Sequence, residues 1–212
     1  MALGQRPFRR SGQRARRSAG ANGRRAASRS QAGRLSVGKV VVESDRLSLQ
    51  ELSTEDAGDI AFIYRLLNEP SFLENIGDRG VRSLEDAHGY LSKGPMASYL
   101  SNGFGLYRVQ LKDSGEVIGL CGLVKRATLS DVDLGYALLP EFCGRGYAAE
   151  AAAAVMADAR ARLRIDRIVA ITDPRNAGSI RVLEKTGFRF EKMVQLTPGD
   201  IELKLFASTL DR

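Results

Sequence analysis

The chain has 212 residues, 43% hydrophobic and 27% charged, which suits one folded domain with a full core and is too short for two comfortable ones. No apolar run approaches the roughly 20 residues that would span a bilayer. Two cysteines and a single histidine give no disulfide framework and no zinc spacing, so a reducing compartment without bound metal is expected. The net charge of +7 is unevenly spread: residues 1–42 hold 11 Lys or Arg and no acid, leaving 21 basic and 25 acidic side chains in the other 170 residues, a net charge of −4. The basic character belongs to one end, and overall charge gives no case for nucleic-acid binding by the body.

Residues 1–42 are rich in Arg, Ser, Ala and Gly, with almost no large apolar side chain before Leu35. They cannot bury enough surface to offset the entropy of ordering and are predicted to be a disordered basic tail. An organellar targeting segment, a nucleic-acid-binding arm, a stretch upstream of the true start codon and a solvated tail without a role all fit this composition. The lack of an amphipathic period favours the last two. A cytoplasmic protein is expected, with an organelle as the alternative if the tail is a targeting segment.

From Arg46 the pattern is regular. Arg46–Gln50 alternates as a first strand, Thr54–Asp56 opens a helix through about Asn68, and Pro70 is expected to stop it. Residues 71–82 read as a loop and Ser83–Leu91 as a short helix. Phe104–Leu111 and Val117–Val124 flank a Gly115-containing turn as a hairpin, and Asp131–Leu139 is the next strand, closed by Pro140. An alanine-rich helix runs from about Arg145 to Leu163, followed by the strand Ile168–Thr172 and a helix that Asn176 caps and Gly187 ends. Phe188–Gln195 and Ile201–Phe206 close the chain as a hairpin. The expected fold is α/β (α+β): a mixed, mostly antiparallel central sheet of about seven strands with helices on both faces.

Two stretches carry chemistry. In Glu141-Phe142-Cys143-Gly144-Arg145-Gly146-Tyr147-Ala148-Ala149-Glu150, two glycines stand against a helix start, where unpaired N–H groups and the helix dipole favour a phosphate or pyrophosphate. Gly-x-Gly before a helix also serves ordinary turns, so this stretch alone decides nothing. The second stretch, Asn176-Ala177-Gly178-Ser179 through Gly187-Phe188, follows the next strand.

In this order, one strand apart, the two stretches resemble the GNAT superfamily of acyl-CoA-dependent N-acyltransferases. Leu134-Gly135-Tyr136 to Leu139-Pro140-Glu141, followed by Gly144 through Ala151, resembles the branch that includes the ribosomal-protein N-terminal acetyltransferases. The resemblance covers roughly residues 44–207, so the acetyltransferase domain is expected over residues 43–212. It departs from the family at Cys143, three residues before Gly146, where Gln or Arg is usual.

The resemblance implies acetyl-CoA as co-substrate, no metal, and direct attack by an acceptor amine. Cys143, Gly144, Arg145, Gly146, Tyr147 and Ala148 would meet the pyrophosphate, and the pantetheine arm would follow Leu138 and Leu139. Entry would be through a splay between that strand and the next, with a backbone N–H near Leu138 facing the thioester oxygen. Asn176 caps its helix and is a second candidate contact. Asp133 is the preferred general base, with Asp131, Glu141 and Glu150 as weaker candidates. The position of the family's usual proton-donating tyrosine is Leu183, and Ser179 is the substitute expected to assist the departing thiolate. Cys121, Cys143 and His88 are expected to be non-catalytic. The acceptor is a protein N-terminus or a small amine, with no membrane partner and a monomer or homodimer as the assembly. The alternative function is an acyl-CoA-binding regulatory module with little or no turnover.

Overall fold

The computed structural model describes residues 38–209, so the expectations for residues 1–37 lie outside the described residues. Eight strands form one sheet: β1 (Val40–Glu43), β2 (Leu47–Gln50), β3 (Leu106–Leu111), β4 (Val117–Val124), β5 (Val132–Leu138), β6 (Arg167–Thr172), β7 (Arg189–Val194) and β8 (Leu203–Thr209). Their order is β1-β2-β3-β4-β5-β6-β8-β7, and β5 with β6 is the one parallel neighbour pair. The mixed, mostly antiparallel sheet expected from the sequence is therefore present, with one strand more.

The additional strand is β1, whose first residues fall inside the segment expected to be a tail. Val40-Val41-Val42 is a β-branched run, a composition that packs well on a pleated surface, and it pairs antiparallel with β2 from Val40 opposite Gln50 to Glu43 opposite Ser48. Order thus begins before the expected boundary at residue 42.

The helices are α1 (Ala57–Leu67), α2 (Pro70–Asn75), α3 (Leu84–Leu91), α4 (Ala97–Asn102), α5 (Tyr147–Ala161) and α6 (Ala177–Lys185). Part of the loop expected from residue 71 is α2. Pro70 does not simply end α1 but stands at the start of α2, where its missing N–H removes no helical bond. A wide helical turn, Ser92–Met96, joins α3 to α4.

Strand register shows which helices share a face. Arg108 lies opposite Leu120, and Leu120 opposite Ala137, so the three side chains point the same way. The buried Arg108 guanidinium reaches Asp59 at 2.7 Å, Asp56 at 3.2 Å and Gln50 at 2.7 Å. That places α1, with α3 packed on it, over this face. Burial pushes the Asp59 carboxyl up against the pull of Arg108, and removing one partner of such a buried pair typically costs about 3–5 kcal/mol. Helix α5 packs on β1, β2, β4 and β5, with Ala151, Ala152 and Ala159 fully buried beside Val155. These small side chains let the helix lie close to the sheet, and enlarging one of them would cost about 1–3 kcal/mol through overpacking.

The sheet opens between β5 and β6. They are in register at Val132 with Ile168 and Asp133 with Val169, and not beyond, although β5 continues to Leu138. Its other edge stays attached to β4: Leu139 N–H donates to the Ile118 carbonyl at 2.9 Å. Gly119 is required there, since a Cβ would come within 2.4 Å of the Ala137 carbonyl.

Candidate active site

A cavity of about 650 Å³ occupies this divergence. Phe72, Ile76, Arg79, Tyr90 and Arg126 line it together with Ala148 and Ala149 of α5 and Asn176, Ser179 and Leu183 around α6, while β5 and β6 contribute Asp133 through Leu138 and Ala170 through Thr172. The parting of the two strands matches the splay that the family resemblance implied.

The candidate anion cradle is a glycine-shaped turn at the start of α5. Gly144 and Gly146 have φ of +77° and +82°, a region that favours glycine. Gly146 is the N-cap of α5 and has no side chain to bond the first-turn N–H groups, which leaves them available to a ligand. Cys143, Gly144, Gly146, Tyr147 and Ala148 line the cavity; Arg145 does not. Its guanidinium lies 5.7 Å from the Phe142 ring instead, and its carbonyl accepts from Arg46 at 3.3 Å.

Arg46 and Glu150 hold the cradle in place. One Glu150 oxygen accepts from Ser44 Oγ at 2.8 Å and from the Arg46 backbone N–H at 2.9 Å, and the other from Arg46 Nε at 2.6 Å. The Arg46 guanidinium also lies 4.4 Å from the centre of the Tyr147 ring, an attractive cation–π placement. Burial raises the Glu150 carboxyl, but these bonds outweigh it and hold the group below its usual range. Glu150 is thus an anchor with its oxygens already engaged.

Along β5, Leu138 lines the cavity, whereas Leu139 is fully buried outside the lining with its N–H bonded to Ile118. The Leu139 carbonyl accepts from Phe142 N–H at 3.0 Å and faces Cys143 Sγ at 3.7 Å. Leu139 therefore shapes the loop and offers the cavity no free N–H.

Asp133 is 1% exposed and lines the cavity. Its Oδ2 accepts from Arg126 Nε at 2.6 Å, while Oδ1 is a buried oxygen with no hydrogen-bond partner. Burial raises its pKa to about 6 against the opposing pull of Arg126 and of the Ile171 backbone N–H. The other acids considered are elsewhere. Asp131 bonds Arg167 at 3.1 Å and Glu141 bonds Arg65 at 2.5 Å, and neither lines the cavity. His88 lines a neighbouring cavity with Arg79 and Tyr90. Cys121 is fully buried, which pushes its thiol up to about 12, and the thiol of Cys143 is also raised by burial. Thiolate, the nucleophilic form, is disfavoured at both.

Asn176 caps α6 by accepting from Ser179 N–H at 2.9 Å. The structure adds a residue that sequence reasoning quoted without assigning a role. The Tyr136 hydroxyl lies 2.8 Å from Ser179 Oγ and donates to the Ser179 carbonyl at 3.1 Å. Both residues line the cavity beside the apolar Leu183. Burial raises the Tyr136 pKa, keeping its proton in place. The available signal was the strand period: Tyr136 is two residues from Leu138 and shares its face.

The sequence pattern described as "Acetyltransferase (GNAT) domain" matches residues 46–189. The protein YkkB of Bacillus subtilis (strain 168) is 33% identical over 95 residues, 44% of this chain and 55% of that protein, so the match spans little more than half of this relative's length. The crystal structure of an acetyltransferase from Agrobacterium tumefaciens strain C58 is similar with a TM-score of 0.65 and 26% identity, covering 80% of this chain and 95% of that one. RimL, a ribosomal L7/L12 alpha-N-protein acetyltransferase solved in complex with coenzyme A, shares the fold with a TM-score of 0.67 at 18% identity over 82% of this chain and 99% of its own. With the family pattern covering most of the chain on a sheet of this topology, the chain belongs to the GNAT acetyltransferase family.

Proposed function

We propose that the protein moves an acetyl group from acetyl-CoA to a primary amine by direct attack, with Asp133 as the base and Tyr136, backed by Ser179, as the proton donor to the departing thiolate. Coenzyme A bound by the similarly folded RimL supports acetyl-CoA as the donor substrate, and the cradle geometry suits it. N–H groups around Gly146 to Ala149 would hold the pyrophosphate, with Gly144 and Cys143 beside it. The pantetheine arm would lie against β5 near Leu138, and Asn176 would stand close by. Leu139 and Arg145 are omitted, since neither lines the cavity.

The observation that carries this reading is Asp133, a buried acid with one oxygen unpartnered at the point where β5 leaves β6. An amine must lose a proton to attack. A carboxyl raised to about 6 from 3.8 reduces the uphill proton transfer from an ammonium group by about 3 kcal/mol. The ammonium gives one proton to Asp133 Oδ1 and on to solvent, the freed amine nitrogen bonds to the thioester carbon, the C–S bond breaks, the sulfur takes a proton from Tyr136, and the second proton that the nitrogen sheds on becoming an amide restores Tyr136. Asp133 and Tyr136 are three positions apart on β5 and so project to opposite faces. This fits an acceptor entering from the α1–α3 side and a thiol leaving towards α6.

The alternative, a binding module without turnover, rested on the missing helix tyrosine and on Cys143. Tyr136 offers a candidate donor in place of that tyrosine, and backbone N–H groups can hold a pyrophosphate without a side chain at Cys143, which supports the enzyme reading. Free CoA release and product mass should be measured with acetyl-CoA and a panel of amines and short peptides. Acetylated amine with stoichiometric CoA is expected; acetyl-CoA binding without any acetylated product would establish the binding module instead.

A further inference from the structure

We propose that the acceptor is a small primary amine that also carries an anionic group, a carboxylate or a phosphate, which Arg79 and Arg126 hold beside Asp133. This rests on the N-acetyltransferase reading and narrows its substrate class.

The charges lining the cavity are unbalanced. Arg79, Arg126, Arg181 and Lys185 face a single acid, Asp133. Arg181 and Lys185 belong to α6, whereas Arg79 lies in the loop between α2 and α3 and Arg126 in the loop between β4 and β5, where Arg126 pairs with Asp133.

Arg79 and Arg126 line the cavity together with Tyr90, and both act against the rise that burial gives the Tyr90 phenol. Arg126 spends its Nε on Asp133 at 2.6 Å, and no hydrogen bond from its terminal nitrogens is made to a described residue. Arg79 makes no ion pair or hydrogen bond with a described residue, although it also borders the neighbouring cavity that contains Glu85 and Asp86. Asp86 is engaged by Ser83 and by the Arg82 N–H.

An arginine fork with free terminal donors matches a carboxylate or phosphate bidentately. In a partly enclosed cavity such a contact gains more than in open water, while a purely cationic amine would meet uncompensated repulsion. The guanidinium is rigid, so Nε held by Asp133 fixes the remaining donors close to the base. The amine and the anionic group must then be only a few bonds apart in the acceptor. Short amino acids and aminoalkyl phosphates have that form.

The test compares amines paired for chain length and similar amine basicity, with the full chain and saturating acetyl-CoA: β-alanine against propylamine for the carboxylate arm, and O-phosphorylethanolamine against ethanolamine for the phosphate arm. Expressed per concentration of free amine, kcat/KM should favour the anionic member of at least one pair by about tenfold or more, the scale of a hydrogen bond to a charged group. The better arm identifies the anion. Arg79→Gln should reduce that ratio by about tenfold, Arg79→Glu should bring it below one, and Arg79→Lys should retain part of it. Damage to the fold would lower both members alike and would appear in the thermal melt, so the ratio reports the contact itself. Ratios near one in both arms, or a preference untouched by Arg79→Gln, would overturn the anionic acceptor while leaving the acetyltransferase reading intact. Failure of all four amines would overturn this inference, and the acetyltransferase reading falls only if the short peptides of the wider panel also yield no acetylated product.

Discussion

The hydroxyl of Tyr136, on β5, lies 2.8 Å from Ser179 Oγ, on α6, and donates to the Ser179 carbonyl, joining the strand that carries Asp133 to the helix that Asn176 caps. Burial keeps the phenol protonated, which is what a thiolate, with a reference pKa of about 8.5, needs from a neighbour. Tyr136→Phe should lower kcat by about 10- to 100-fold, towards the low end of general-acid effects because water can also protonate a thiolate. Ser179→Ala should cost less, since it removes an orienting partner and not the donor. If Tyr136→Phe turns over at the parent rate, the leaving thiolate takes its proton from solvent.

The glycine turn at Gly144 and Gly146 was easier to read from the sequence than the Tyr136–Ser179 contact because of range. Gly144 and Gly146 are local requirements: their positive φ is written into the residue type, and Asn176 likewise announces a cap three residues before the N–H it serves. The Tyr136 hydroxyl meets a partner 43 positions away; the strand period gives the face it shares with Leu138 but not that partner. Arg126 is similar, because its value lies in one bond to Asp133. Leu138 and Leu139 differ by one residue, yet only one reaches the cavity; the β4 contact that takes the Leu139 N–H is a tertiary detail. The sheet itself was legible because alternating strands and an alanine-rich helix are local patterns, whereas Val40–Val42 was hidden by the basic composition of the chain before it.

The clamp between Arg46 and Glu150 joins the turn after β1 to the first turn of α5. Glu150→Ala removes several charge-assisted bonds at a partly buried carboxylate and should destabilise the protein by about 2–3 kcal/mol in denaturant titration; Glu150→Gln, which keeps an acceptor oxygen, should cost about half. Because the folded state depresses this carboxyl below its ordinary value of 4.5, its contribution is present above that pH and lost as acid protonates the group. A loss that does not shrink below pH 4.5 would mean that packing, and not charge, holds the clamp.

Gly146→Asp tests the cradle. The new side chain would place a carboxylate where first-turn N–H groups await an anion, and like-charge juxtaposition costs several kcal/mol, so acetyl-CoA affinity should fall more than 100-fold. Gly146→Ala, at φ +82°, should show the strain alone, about 1–2 kcal/mol in stability. Calorimetry on folded Gly146→Asp that returns the parent affinity would remove the cradle from the CoA site.

Asp133→Asn separates activity from stability. As the base, Asp133 must be ionised, so kcat/KM for the parent should rise with pH through about 6, the raised pKa of this carboxyl. Asp133→Asn should lose that limb and turn over about 10²- to 10⁴-fold more slowly near neutral pH, with the deficit narrowing in alkali as the amine deprotonates unaided. Stability should move the other way. The folded-state pKa lies above the unfolded reference of 3.8, so the native state holds this proton more tightly. Its contribution is full below pH 3.8 and is lost as pH rises through about 6. Over that window the parent should lose about 1–3 kcal/mol relative to Asp133→Asn, read as the difference between their denaturation midpoints at each pH. A variant that is slow but shows a constant stability difference from pH 4 to 7 would place the catalytic limb on another group, whereas parallel pH–rate profiles at equal rates would remove Asp133 from the chemistry.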